Sequence, residues 1–150
     1  MNCLDFQIVS KSRKLPAQAL FKKWVDAVLQ DESQDSEIVI RIVDEQEMIQ
    51  FNEQYRDKKG STNILSFPFD PPKGVDSDLL GDLLICAQVI EAESKQQNKQ
   101  LEHHWAHMIV HGVLHLIGYN HIDALEAAEM ELLEIKILRS IQIDNPYEEK

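Results

Sequence analysis

A chain of 150 residues, 43% hydrophobic and 27% charged, is long enough for a sizeable core and too apolar to stay disordered. Five glycines and five prolines exclude collagen-like and low-complexity classes. The net charge of −11 argues against broad nucleic-acid affinity, yet residues 1–30 carry +3 (five basic, two acidic) and residues 121–150 carry −5 (three basic, eight acidic).

Phe6-Gln7-Ile8-Val9 reads as a short strand. Pro16 then opens a helix whose Leu20, Phe21, Trp24, Val28 and Leu29 share one face. Ile38 to Val43 is β-branched and nearly all apolar, as a central strand is. Asp44 with Glu47 three residues on resembles a capping box, starting a helix through Tyr55. Arg56, Lys58 and Lys59 follow as a small basic cluster. Ile64-Leu65-Ser66-Phe67 is a third strand, ended by Pro68 and a turn-rich stretch, and Leu83 to Cys86 a fourth. Three helices complete the pattern: Ala87 to about Lys99, with Gln96-Gln97-Asn98 ending it or marking an exposed turn, Leu101 to Ile117, and Leu125 to Ile141. Strands and helices alternate early and helices dominate late. The expected fold is α+β, a single domain over residues 1–150 with a small mixed sheet and helices packed on it.

No apolar run approaches the roughly 18 residues of a membrane span. The first residues show no basic stretch followed by an apolar one, so a cytoplasmic protein is expected. Cys3 and Cys86 make no disulfide framework, and each suits a small buried hydrophobe.

All six histidines lie between residues 103 and 121. His111 and His115 sit four apart, which on a helix places them on one face with ~6 Å of rise between them. Gly118 accepts a left-handed backbone, ends the helix and turns the chain, so that His121 can return as a third ligand. Three imidazoles with an open fourth position describe a catalytic zinc site rather than a structural one, with a bound water acidified toward a pKa of about 7. His107 and His115 lie ~12 Å apart along the helix and cannot share an ion. His103, His104 and His107 are therefore read as supporting, surface or substrate-facing groups. The H-x3-H-x5-H spacing is shared with metzincin proteases, but those place a glutamate after the first histidine as general base, where this chain has Gly112.

His111 through His121 resembles the signature of the YbeY-type family, H-G-x-L-H-L-x-G-Y-D-H, departing only at Asn120. Phe51-Asn52-Glu53-Gln54-Tyr55-Arg56 is similar to the family's L-N-x-x-Y-R segment. Thr62 to Pro68 is similar to T-D-V-L-S-F-P, with Asn63 for Asp, and Gly81 to Ile85 to G-D-I-x-I. The resemblance implies a metal-dependent, single-strand-directed endoribonuclease of ribosomal RNA maturation and ribosome quality control. Its ligands would be His111, His115 and His121 on one zinc ion completed by water, and Arg56 its key basic residue. It also implies an α+β fold with a mixed four-stranded sheet.

The chemistry agrees in part. Arg56 can meet phosphate oxygens bidentately, or cap its own helix or pair with Asp57; the resemblance favours the first. Asn120 can orient a ligand but cannot take up a proton. Asn63, just before a strand, reads as a turn or cap residue interchangeable with Asp. The expected partners are ribosomal RNA and the ribosome, with room for a basic ribosomal protein on the acidic surface. Competing readings are a metalloprotease or other small metallohydrolase, and an assembly factor with a structural metal.

Overall fold

The computed structural model describes residues 2–30, 35–56, 60–120 and 122–148, apart from the side chains of Tyr55 and Arg56. Among the described residues, nine elements follow in chain order: β1 (Cys3–Ile8), α1 (Gln18–Leu29), β2 (Glu37–Val43), α2 (Glu45–Arg56), β3 (Ile64–Pro68), β4 (Leu79–Cys86), α3 (Ala87–Gln96), α4 (Leu101–Leu116) and α5 (Ala124–Ser140). The sheet order is β1-β2-β4-β3, with β1, β2 and β4 parallel and β3 antiparallel on the outer edge of β4. This is the mixed four-stranded α+β arrangement expected.

Alternation along the central strands sends side chains to opposite faces, and each face is covered. Ile38, Ile40 and Ile42 of β2 join Leu83 and Ile85 of β4 in the large core, where they meet Phe21 and Trp24 of α1 and Trp105 and Ile109 of α4. Leu84 and Cys86 point the other way and pack with Val43, Leu65 and Met48 of α2. Both faces being buried explains why β2 lacks polar alternation. Trp105 meets the Phe21 ring edge-to-face at 5.7 Å, fastening α4 to α1.

Strands run longer than their apolar runs. β1 starts at Cys3 because its first residues pair with Glu37 onward in β2, and β4 reaches back to Leu79 through Gly81 and Asp82. The capping box does not form as read. Asp44 accepts bonds from Ser10 Oγ (2.5 Å), the Lys11 amide (3.2 Å) and Gln88 Nε2 (2.7 Å), tying the loop after β1 to the start of α3. Glu47 instead takes Arg41 bidentately along one guanidinium edge, accepting from Nε at 2.8 Å and Nη2 at 3.0 Å. α3 stops at Gln96, and Asn98 adopts a positive φ of 56°, as its polar ending suggests. The last helix buries Met130, Glu134, Ile137 and Leu138 while leaving Leu125 and Leu132 in solvent, so its packed stripe is narrower than its apolar content. Cys86 is buried and Cys3 exposed, both as free thiols. No described helix is long and apolar enough to cross a membrane.

Candidate metal centre and its groove

α4 is the most enclosed helix of the fold, with Ala106, Ile109, Val110, Val113 and Leu114 among its buried residues. Its His111–His115 edge faces β3. There the helix closes on the sheet: a Cβ at Gly112 would lie 2.7 Å from Ile64 Cδ1 and 2.9 Å from Leu83 Cδ2. Glycine lets the helix and the sheet approach this closely; a side chain at this position would press on the ends of the Ile64 and Leu83 side chains, which would have to shift. Ser66 Oγ of β3 donates to the Gly112 carbonyl at 3.3 Å, fixing the same approach.

One turn apart, the His111 and His115 rings stand edge-to-face with centroids 4.6 Å apart and their Nε2 atoms at 3.1 Å. Gly118 (φ 106°) ends the helix, its amide donating to His115 O and that of Tyr119 to Leu114 O. Tyr119 packs against the core. Asn120 then joins His111, His115 and residues Thr62–Pro68 in lining an open groove of about 550 Å³. His121, Lys58 and Lys59 lie outside the described residues, as does the Arg56 side chain, although the Arg56 backbone closes α2. Among the described residues, no three His, Cys, Asp or Glu side chains converge as a metal cluster.

Glu134 was not anticipated. It is fully buried on α5, and its Oε1 accepts the His111 Nδ1 proton at 2.7 Å. Tyr147 Oη donates to its Oε2 at 2.6 Å, and His107 Nε2 lies 3.4 Å away. Burial alone would raise its pKa, but the bonds from His107, His111 and Tyr147 outweigh that and hold it at about 2. Burial in turn pushes the His107 pKa down, against the pull of Glu134, and keeps this ring neutral. The signal was in the sequence: Glu134 sits on the Met130–Ile137–Leu138 stripe, an acid in register with the core. A carboxyl held below its unfolded value adds stability that is complete above the ordinary Glu range and lost as pH falls toward 2. Acid unfolding of the metal-free protein is therefore expected to show a shallower loss of stability between pH 5 and about 2 in Glu134→Gln.

These residues fit a metal ion. A proton fixed on Nδ1 leaves the Nε2 lone pair of His111 facing His115. Two nitrogens bound tetrahedrally at 2.0–2.1 Å stand about 3.3 Å apart, close to the separation seen.

A second pair, with His104 buried and Glu93 partly buried, lies nearer the start of α4. His104 Nε2 meets Glu93 Oε1 at 3.0 Å, and the same carboxylate accepts Asn63 Nδ2 at 3.2 and 3.3 Å. The bond from His104, with that from Asn63, holds the Glu93 pKa below the usual range against its burial. Asn63 Oδ1 also accepts the Ile64 amide at 2.6 Å. Asparagine and aspartate are thus not interchangeable at position 63, because aspartate has no N–H for Glu93 and adds a facing negative charge. Asn63→Asp is expected to cost about 1–3 kcal/mol of unfolding free energy near pH 7, less at pH 4, as urea denaturation would read.

A family model described as Endoribonuclease YbeY matches residues 5–142. A curated relative from Colwellia psychrerythraea (strain 34H), named Endoribonuclease YbeY, is 48% identical over 98% of this chain and 97% of its own length. The solution structure of TM1509 from Thermotoga maritima superposes with a TM-score of 0.58 at 20% identity, covering 91% of each chain, and supports the fold alone.

Proposed function

The chain belongs to the endoribonuclease YbeY family and is an endoribonuclease, and from that premise we propose that it cuts single-stranded ribosomal RNA during ribosome maturation and quality control. The observation that carries this reading is the pair of Nε2 atoms 3.1 Å apart at the mouth of a 550 Å³ groove, with Glu134 bonded behind one of them. His111, His115 and His121 would hold one zinc ion. Such an ion supplies Lewis acidity, polarising a phosphate oxygen and acidifying a hydroxyl at neutral pH.

The chain's own residues do the rest. Glu134 holds the His111 proton on Nδ1. Residues Thr62–Pro68, β3 and the turn before it, form one wall along which a single strand would lie, offering the Thr62 hydroxyl. Asn120, at the same mouth, can donate and accept hydrogen bonds but does not exchange protons, so it orients rather than acts as base. Arg56 meets the phosphate as a planar, permanently charged fork. Gly112 bears on the protease alternative, because it stands where the metzincin route has its glutamate general base and carries no carboxylate. We place this activity in one domain spanning residues 1–150, in the cytoplasm, with the ribosome and a basic ribosomal protein as partners of an acidic surface.

The test is cleavage of ribosomal RNA by purified protein, with chelator and after zinc is restored, beside duplex RNA and casein. Cleavage confined to single-stranded regions, lost with chelator and regained with zinc, is the expected result. Chelator-insensitive cleavage, or digestion of casein instead, would reject the reading. Loss of the fold on chelation would favour the structural-metal alternative.

A further inference from the structure

The chain beyond α5 does not simply trail away. Gln142 takes a positive φ of 62°, the Ile143 amide returns to Leu138 O at 2.9 Å, and Ile143 is buried in the core. Asn145 Oδ1 then accepts the Tyr147 amide at 2.8 Å, a turn that lays the Tyr147 ring edge-to-face on His107 with centroids 5.3 Å apart. The hydroxyl is thereby delivered to Glu134 Oε2.

We propose that Tyr147 is a positioning residue for the metal centre: the C-terminal turn clamps the Glu134 carboxylate, which orients His111. The inference rests on the reading of His111 as a ligand. It follows from counting protons. An ionised carboxylate only accepts, so His111 Nδ1–H bonds Oε1 at 2.7 Å, and the single Tyr147 hydroxyl proton goes to the nearer Oε2 at 2.6 Å, with Oε1 3.2 Å away. The Tyr147 oxygen can in turn accept from His107 Nε2 at 3.2 Å, which sets that ring with its proton on Nε2. His107 Nδ1 is then the bare acceptor, and it is buried without a hydrogen-bond partner, a lesser cost than a stranded N–H.

Each oxygen of Glu134 thus has its own donor, and the carboxylate plane is fixed where the His111 ring needs it. Remove the hydroxyl and Oε2 keeps only the 3.4 Å contact to His107. A cavity of about 140 Å³ beside His111, Glu134 and Tyr147 gives water room to enter, so the carboxylate can turn and His111 is less firmly held. Tyr147, 44% exposed, belongs to the surface while the group it fixes is fully buried. A segment at the end of the chain therefore tunes how tightly the site holds its ion.

The test uses zinc alone, titrated into metal-free full-length protein against a chromophoric chelator. His111 tautomers are read in parallel, without metal, by long-range proton–nitrogen NMR. Tyr147→Phe keeps the ring and removes the hydroxyl; Asn145→Ala keeps the hydroxyl and loosens the turn. Outer-shell partners typically contribute 10–100-fold, so Tyr147→Phe is expected to weaken zinc binding about tenfold and Glu134→Gln by more. Asn145→Ala should fall between Tyr147→Phe and wild type. In Tyr147→Phe the single Nδ1–H tautomer of His111 gives way to a mixture. A purely structural tyrosine would lower the thermal midpoint and leave zinc affinity and tautomer unchanged, which overturns the proposal. So does zinc affinity within twofold of wild type in both tail variants while Glu134→Gln binds weakly, a result that spares the ligand assignment. Wild-type affinity in His111→Ala rejects the ligand assignment and this inference together. If Tyr147→Phe does not fold, Asn145→Ala decides the question by the same readings.

Discussion

His115→Ala is expected to lower cleavage of ribosomal RNA by more than about a hundredfold, beyond the roughly 10–100-fold that loss of an outer-shell partner produces. The side chain supplies one of two facing nitrogens at the groove, and alanine supplies none. The fold should survive, because alanine is the best helix former and His115 is only partly buried, between Leu114 and Leu116, which stay in place. A thermal midpoint near that of wild type, together with lost cleavage and lost zinc binding, separates chemistry from folding. The mutant must be purified identically, since contaminating ribonucleases imitate a positive result. Equal cleavage by both proteins would remove His115 from the mechanism.

Gly81→Ala should produce the largest loss of stability, about 2–6 kcal/mol, seen as a lower urea midpoint with an unchanged slope. Two costs combine. The residue holds a φ of +148°, a region costing a side chain roughly 1–3 kcal/mol. A Cβ there would also stand 2.3 Å from the Phe67 carbonyl oxygen and 2.9 Å from Leu116 Cδ2, a further overpacking cost of about 1–3 kcal/mol. The carbonyl is backbone of the adjacent strand, so it cannot swing aside. Gly81 also follows a register shift, where β4 steps from Leu79 to Gly81 against consecutive residues of β2. A variant as stable as wild type would mean that the strand pair relaxes at no cost.

Legibility differed between elements for a physical reason. The uninterrupted apolar run of β2 and the helical stripe of α1 announce themselves because burial selects apolar residues at the period of the element. The beginnings of β1 and β4 were not visible: Cys3, Asp5, Gly81 and Asp82 have no strand preference of their own and are held by pairing with β2. Asp44 and Glu47 carried a local capping signal, and partners outside the helix took both side chains: Ser10 and Gln88 for Asp44, and Arg41 of the preceding strand for Glu47.

That His111 and His115 share a helix edge, that Gly118 turns the chain after them, and that the whole resembles one family could all be read from the residues alone. Those relations span a few residues, where covalent geometry and helical period dictate which side chains are neighbours. Only the tertiary structure decided what stands behind them. Glu134 lies 23 residues from His111 and Tyr147 lies 40 from His107, and nothing local brings either pair together. The packing of α5 and the returning C-terminal turn against α4 does so, as the packing of β3 and β4 on α4 sets how closely the helix approaches the sheet at Gly112.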